Sequence, residues 1–256
     1  MRTIAITNQK GGSGKTTAAV NLAAALGEKG HRSLVIDLDP QANASTWLLG
    51  QEAEDRGLLQ VLTDNRALVD QVQATPAPGV EAVASSPAFA GVETALAGKM
   101  GAEQRLRRAI EQLPSDRWEF VFLDCPPSTG LLSVSALAAA SEVLIPLEAH
   151  AMSLSGLTQL LHSVEEAKEL LHNPNLDLIG VLISRMHSRA RLAQDVDKEL
   201  RGNLGPLVFK TVIRENIRLA EAPSYGKPIT LYAPSSPGAE DYRAAAKELL
   251  NRRVKA

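Results

Sequence analysis

Residues 8–17 read NQKGGSGKTT. The stretch follows a short apolar run, TIAIT (3–7), and leads into an alanine-rich run over 15–29 that Gly30 stops. Strand, glycine-rich loop and helix, in that order, make a phosphate cradle. Glycines let the backbone turn so that successive N–H groups converge, and the helix adds its positive N-terminus. The usual spacing is G-x-x-x-x-G-K-[ST]. Anchored on Gly14, Lys15 and Thr16, it asks for a glycine at position 9, where this chain has Gln9. Glycines stand instead at 11 and 12, with an extra lysine, Lys10. The expected phosphate-binding set is Gly11, Gly12, Ser13, Gly14, Lys15, Thr16 and Thr17. Lys15 reaches the β- and γ-phosphates and the Thr16 hydroxyl meets Mg²⁺. Spacing leaves Lys10 with two readings: a solvated loop lysine, or a charge offered to a nucleotide on a facing copy of the chain.

Outward from the loop, apolar runs alternate with helical patterns. Ser33–Asp39 (SLVIDLD), Glu119–Asp124 (EFVFLD), the EVLIPLE run from Glu142 and Leu176–Ser184 (LDLIGVLIS) read as strands. Helical spacing fits 103–113, 129–140, 153–171, 190–201 and 239–253. Continuous apolar strands alternating with helices predict one α/β domain over 1–256, a mostly parallel twisted sheet with helices on both faces. Prolines and glycines break up residues 50–100, which read as an irregular helical insertion with one strand at about 80–84. The segment 238–256 reads as a C-terminal helix. Ligands of such sheets bind at the carboxyl ends of strands, where the glycine loop, the Asp37/Asp39 pair and Asp124 all fall.

Two aspartates in VIDLDPQAN (35–43) stand at one strand end, and one of them is expected to face the phosphates while the other does not. A carboxylate facing the γ-phosphate orients water for in-line attack. Asp124 closes an apolar strand and fits an acid that holds Mg²⁺ through water; the alternative is a turn or helix cap. Cys125 reads as a small buried residue, since no histidine is near it in sequence.

Composition sets outer limits. The chain has 256 residues, 45% apolar, 22% charged and 4% aromatic, so Leu, Val, Ile and Ala must build the core. Its one cysteine excludes an internal disulfide and a cysteine-held cluster within one chain. No run suits a signal peptide or a bilayer span, so a cytoplasmic protein is expected. Net charge is −2, so any attraction to nucleic acid must be local. Such a patch exists between 185 and 218, where Lys or Arg at 185, 189, 191, 198, 201, 210, 214 and 218 outnumber acids at 195, 197, 199 and 215. Phosphate contacts of that kind give sequence-independent, salt-sensitive binding.

KGGSGKTT resembles the deviant Walker A motif, KGGxGK[ST], of the ParA/MinD group of P-loop ATPases. The likeness continues through DLDPQAN, DCPPSTGLL, SLSGLTQLL (153–161) and IRENIRLAEAPSYGKPI (213–229). The last of these is similar to the partition ATPases called ParA or Soj more than to MinD. The resemblance implies ATP and Mg²⁺ as cofactors and an ATP-sandwich homodimer in which Lys10 acts on the partner's nucleotide. It implies catalytic roles for Lys10, Lys15 and Asp39, with Asp39 orienting water and Asp37 structural or an indirect Mg²⁺ partner. Thr16 and Asp124 would serve the metal, and Asn216 the adenine. Arg214 occupies a position where that group has proline, and Ser13 one where valine is usual. Arg189 and Arg218, assisted by Arg191, would bind non-specific double-stranded DNA on the nucleoid, and a ParB-like protein would stimulate turnover. Alternatives within the resemblance are positioning of a protein cargo, such as a carboxysome or chemosensory cluster, and a nucleotide-dependent regulatory switch. MinD-like membrane attachment is not expected, because the tail EDYRAAAKELLNRRVKA offers an alanine-rich face without bulky anchors.

Overall fold

The computed structural model describes residues 1–50, 57–148, 154–186 and 191–252. Seven strands form one sheet: β1 (Arg2–Ile6), β2 (Ser33–Asp37), β3 (Gln73–Ala74), β4 (Val80–Val83), β5 (Phe120–Asp124), β6 (Glu142–Glu148) and β7 (Asp177–Ser184). Their order is β3-β4-β2-β5-β1-β6-β7. All neighbouring pairs are parallel except β3 with β4. The central strands are buried on both faces, which is why they read as unbroken apolar runs. One face carries the helices Arg105–Glu111, Leu131–Ala139 and Arg191–Leu204. The other carries Lys15–Gly27, Asn43–Leu49 and Pro237–Asn251.

Small side chains decide how close the second layer comes. Within Lys15–Gly27 almost every residue is buried, alanines included, so the helix packs against the sheet on one side and Pro237–Asn251 on another. A Cβ built on Gly27 would stand 2.0 Å from the Pro78 carbonyl oxygen, so only glycine lets the helix end against that turn. Asn21, buried inside the same helix, accepts from the Ile229 amide at 2.7 Å and donates to the Thr17 carbonyl at 2.8 Å. Ser236 caps Pro237–Asn251, whose Ala239, Tyr242, Ala245, Ala246 and Leu249 are buried. Pro237–Asn251 is therefore a packed helix; residues 253–256 of the expected 238–256 segment lie outside the described residues.

Two details depart from the sequence reading. The described residues of 50–100 contain two strands, since Gln73–Ala74 adds an antiparallel edge to β4. Two residues have no periodicity to detect. The strand expected over Ser33–Asp39 ends at Asp37, so Asp39 belongs to the following turn. None of the helices among the described residues is long and apolar enough to cross a membrane.

Candidate functional site

The site forms where β1, β5 and β2 end side by side. Ile6 pairs with Asp124 and Asp124 pairs with Asp37 across the ladder, so the loop after β1 and the two carboxylates share one level of the sheet. Asn8 fixes the loop's start: its amide donates to the Pro146 carbonyl at 2.8 Å, and its Oδ1 accepts from the Lys10 amide at 3.0 Å. Gly12 and Gly14 take φ of 76° and 88°, left-handed values that favour glycine. Gly14 precedes the first helical residue, Lys15. The Ser184 hydroxyl, at the end of β7, donates to the Ser13 carbonyl at 3.1 Å and ties the sheet's edge to the loop.

Lys10, Gly11 and Gly12 are exposed, while Ser13 and Lys15 are buried and Gly14, Thr16 and Thr17 lie between. The Lys15 ammonium donates to the Lys10 carbonyl at 3.3 Å. Burial lowers its pKa, and the charges of Asp124, Cys125 and Asp39 oppose that shift. Lys15 therefore points inward among carboxylates, whereas Lys10 sits on the outer rim of the same loop.

Asp124 is fully buried, and neither carboxylate oxygen completes a hydrogen bond among the described residues. Burial raises its pKa well above the usual carboxylate value and nearby Asp37 pushes the same way; the neighbouring Thr16 hydroxyl works against them. A buried carboxylate with so little hydrogen bonding is costly. A divalent cation beside Thr16 and Asp124 would supply the missing charge, so these residues fit a Mg²⁺ site whose remaining ligands come from phosphate and water.

Asp37 and Asp39 are used differently. Asp37 is buried and accepts from the Asp39 amide (3.0 Å), the Ser45 amide (2.8 Å) and the Ser45 hydroxyl (2.7 Å). Burial carries its pKa to about 6, held down by the Ser45 and Asp39 hydrogen bonds. The Ser45 hydroxyl also accepts from the Ser85 amide at 2.8 Å, so Asp37 anchors the turn, the helix Asn43–Leu49 and the end of β4 together. Among the described residues Asp39 accepts only the Gln41 amide, at 2.9 Å through Oδ1, which leaves its other oxygen to the site. A continuing strand would have put both aspartates on one face; the strand's end separates them.

Cys125 is buried with its thiol pKa pushed far up by burial, a packing residue and not a nucleophile. After it, Ser133 donates to the Ser128 carbonyl at 2.5 Å, and Glu93 accepts from the Leu132 amide at 3.4 Å. The short helix Val92–Leu96 thus touches the start of the helix Leu131–Ala139.

Beyond the loop a cavity of about 350 Å³ runs from Gly12, Gly14 and Thr17 to Asn216, Ile217, Leu219 and Tyr242, with Arg185 and Arg214 in its wall. Its apolar far end suits a flat base. Asn216 lines it, although its Oδ1 also accepts from the Arg218 amide at 2.8 Å and caps the helix Ile217–Glu221. Arg214 fills the proline position with a clasp. Its amide and guanidinium both donate to Asp241, and the guanidinium also reaches Glu240. Sequence reading missed Asp241, Tyr242 and Ser45 because nothing in their local pattern marks them; only the fold brings them to the site.

The cationic residues lie elsewhere on the surface. Arg191 is exposed at the start of Arg191–Leu204. Arg218 is exposed and pairs with Glu221 at 2.9 Å, and Glu221 also accepts from the Tyr232 hydroxyl. Tyr225 stacks on Tyr232 with centroids 4.7 Å apart, which sets an aromatic pair beside Arg218. Arg189 lies outside the described residues.

A family model described as an AAA domain matches residues 1–178. The chain is 41% identical over 252 residues to the chromosome partitioning protein ParA of Myxococcus xanthus, covering 98% of this chain and 88% of that protein. It is also 41% identical over 247 residues to the sporulation initiation inhibitor protein Soj of Bacillus subtilis, covering 96% and 97%. Among solved structures, cobyrinic acid a,c-diamide synthase of Mycobacterium smegmatis, with bound ATP analog and magnesium, superposes with a TM-score of 0.84 at 30% identity. That match covers 98% of this chain and 95% of the other.

Proposed function

From the premise that this chain belongs to the ParA/Soj family of P-loop proteins, we propose that it is an Mg²⁺-dependent ATPase of chromosome partition. The observation that carries the reading is the fully buried Asp124 carboxylate, with only the Thr16 hydroxyl and the inward-pointing Lys15 to offset its burial among the described residues. Gly11, Gly12, Ser13, Gly14 and Thr17 bind phosphate through the loop and its helix N-terminus. Lys15 neutralises the β- and γ-phosphates. Thr16, and Asp124 through water, would hold Mg²⁺, whose charge would offset that of the phosphates. Asp39, buried and held by the Gln41 amide, orients the attacking water. Asn216 meets the base in the apolar end of the cavity.

Lys10 acts across a homodimer. Its exposed position on the outer rim, with its carbonyl occupied by Lys15, supports a role outside its own pocket. The ATP-bound dimer binds DNA non-specifically through Arg189, Arg191 and Arg218, and a ParB-like protein accelerates hydrolysis and release, which places the protein on the nucleoid. Full-length identity of 41% to ParA and Soj proteins supports partition over cargo positioning or a non-hydrolysing switch.

The test is ATP turnover with Mg²⁺, with and without DNA, in the wild type and in Lys15→Ala. Slow wild-type turnover and none in the variant are expected. Equal nucleotide binding by the two proteins would overturn the loop assignment.

A further inference from the structure

Arg185 stands at the junction of loop and cavity, and the reading above gives it no nucleotide contact. It follows Ser184, whose hydroxyl bonds the phosphate loop at Ser13. It shares the cavity wall with Gly12 and Gly14 at one end and Asn216 at the other. Its φ is 49°, a left-handed value that residues with side chains rarely adopt. Neighbouring backbone bonds impose it: Ile213 donates to Ile183 at 2.8 Å, Met186 to Ile213 at 3.1 Å and Glu215 to Met186 at 3.2 Å. Backbone held in this way gathers at ligand sites.

The charge is arranged with the same economy. Among the described residues Arg185 donates through Nη1 alone, to Glu148 at 2.7 Å, and its side chain is 59% exposed against 7% for Glu148. Arg214, across the cavity, differs: Asp241 and Glu240 take its Nε and Nη2. One guanidinium is a clasp; the other keeps donors for a ligand.

We infer that Arg185 is a further nucleotide-binding residue, meeting the α-phosphate between the loop amides and the base. A planar guanidinium suits phosphate oxygens. The α-phosphate is the group that a ligand seated on Gly12 and Gly14 carries towards Asn216. Glu148 holds the side chain ready and competes with the phosphate for it.

This inference rests on the proposed nucleotide site, and its test separates the two. Binding of fluorescent mant-ADP and mant-ATP is measured for the wild type, Arg185→Ala, Arg185→Lys and Glu148→Gln, with melting of the unliganded proteins alongside. A wild type that binds neither nucleotide refutes the site itself. Given wild-type binding, Arg185→Ala should weaken both nucleotides alike, by about tenfold or more, the loss of one charge-assisted contact. Lysine should restore part of the loss, and Glu148→Gln should bind as well as the wild type or tighter. Unchanged affinity in Arg185→Ala overturns the inference, as does a loss confined to mant-ATP. Equal losses in Arg185→Ala and Glu148→Gln, tracking lower melting temperatures, would make the pair a strand-end brace and nothing more.

Discussion

Asp37 and Asp39 show what a residue's environment decides. Sequence places them two apart before a proline and hints that one is chemical. The fold explains why: Asp37 spends its oxygens on Ser45 and Asp39 amides and the Ser45 hydroxyl, while Asp39 keeps one for the site. Asp39→Ala should therefore retain mant-ATP affinity within about threefold, yet lose turnover by about 10²-fold or more, as removal of a water-orienting group does. Asp37→Ala should fail differently, by unfolding: it strips a buried hub and should cost about 2–4 kcal/mol in urea denaturation. If Asp37→Ala keeps its stability while Asp39→Ala keeps its turnover, the two roles must be exchanged. The loop gave the plainest signal because glycine, lysine and threonine at fixed spacing carry the chemistry proposed for them. Arg185 gave none, because its place depends on β7 ending against Ser13.

At the scale of elements, long apolar runs gave up their strands and alanine-rich stretches their helices. The misses are short. Gln73–Ala74 is two residues of edge strand, and Asn43–Leu49 is a seven-residue helix whose shape follows from Asp37 gripping Ser45. The C-terminal helix was legible as an element, but its attachment was not. Glu248 accepts from the Lys210 amide at 2.8 Å and the Thr211 amide at 2.9 Å, and pairs with Arg252 at 2.8 Å. Burial would raise its pKa, but the bonds from Arg252, Thr211 and Lys210 outweigh that and lower it. A depressed carboxylate pKa stabilises the fold above the unfolded value, about 4.3 for glutamate, and that contribution disappears as pH falls below it. Glu248→Gln should thus cost about 1 kcal/mol at pH 7, a modest figure because solvent partly screens the site. The gap to the wild type should narrow by pH 4 in urea titrations. A gap that stays constant with pH would assign the cost to lost packing.

For the whole molecule the question is how a protein of net charge −2 would hold DNA, the ligand proposed for it. No overall field helps, so attraction must come from a small cationic surface such as Arg191 and Arg218, the latter half-committed to Glu221. A monomer then makes few phosphate contacts and binds weakly. Pairing two chains doubles the contacts and makes the second an intramolecular event. Because log affinity falls with log salt at about −0.9 per phosphate neutralised, dimerisation should about double the slope as well as raise the affinity. Fluorescence anisotropy on a random duplex over a salt series measures both. Asp39→Ala with ATP, held as the dimer, should show the steep slope, and Lys10→Ala with ATP the shallow one despite normal mant-ATP affinity. Light scattering on the same samples reports the assembly state. Should Lys10→Ala dimerise and bind DNA with the steep slope, the lysine on the loop's outer rim has no part in joining the subunits, and the charge that completes the nucleotide site must come from its own chain.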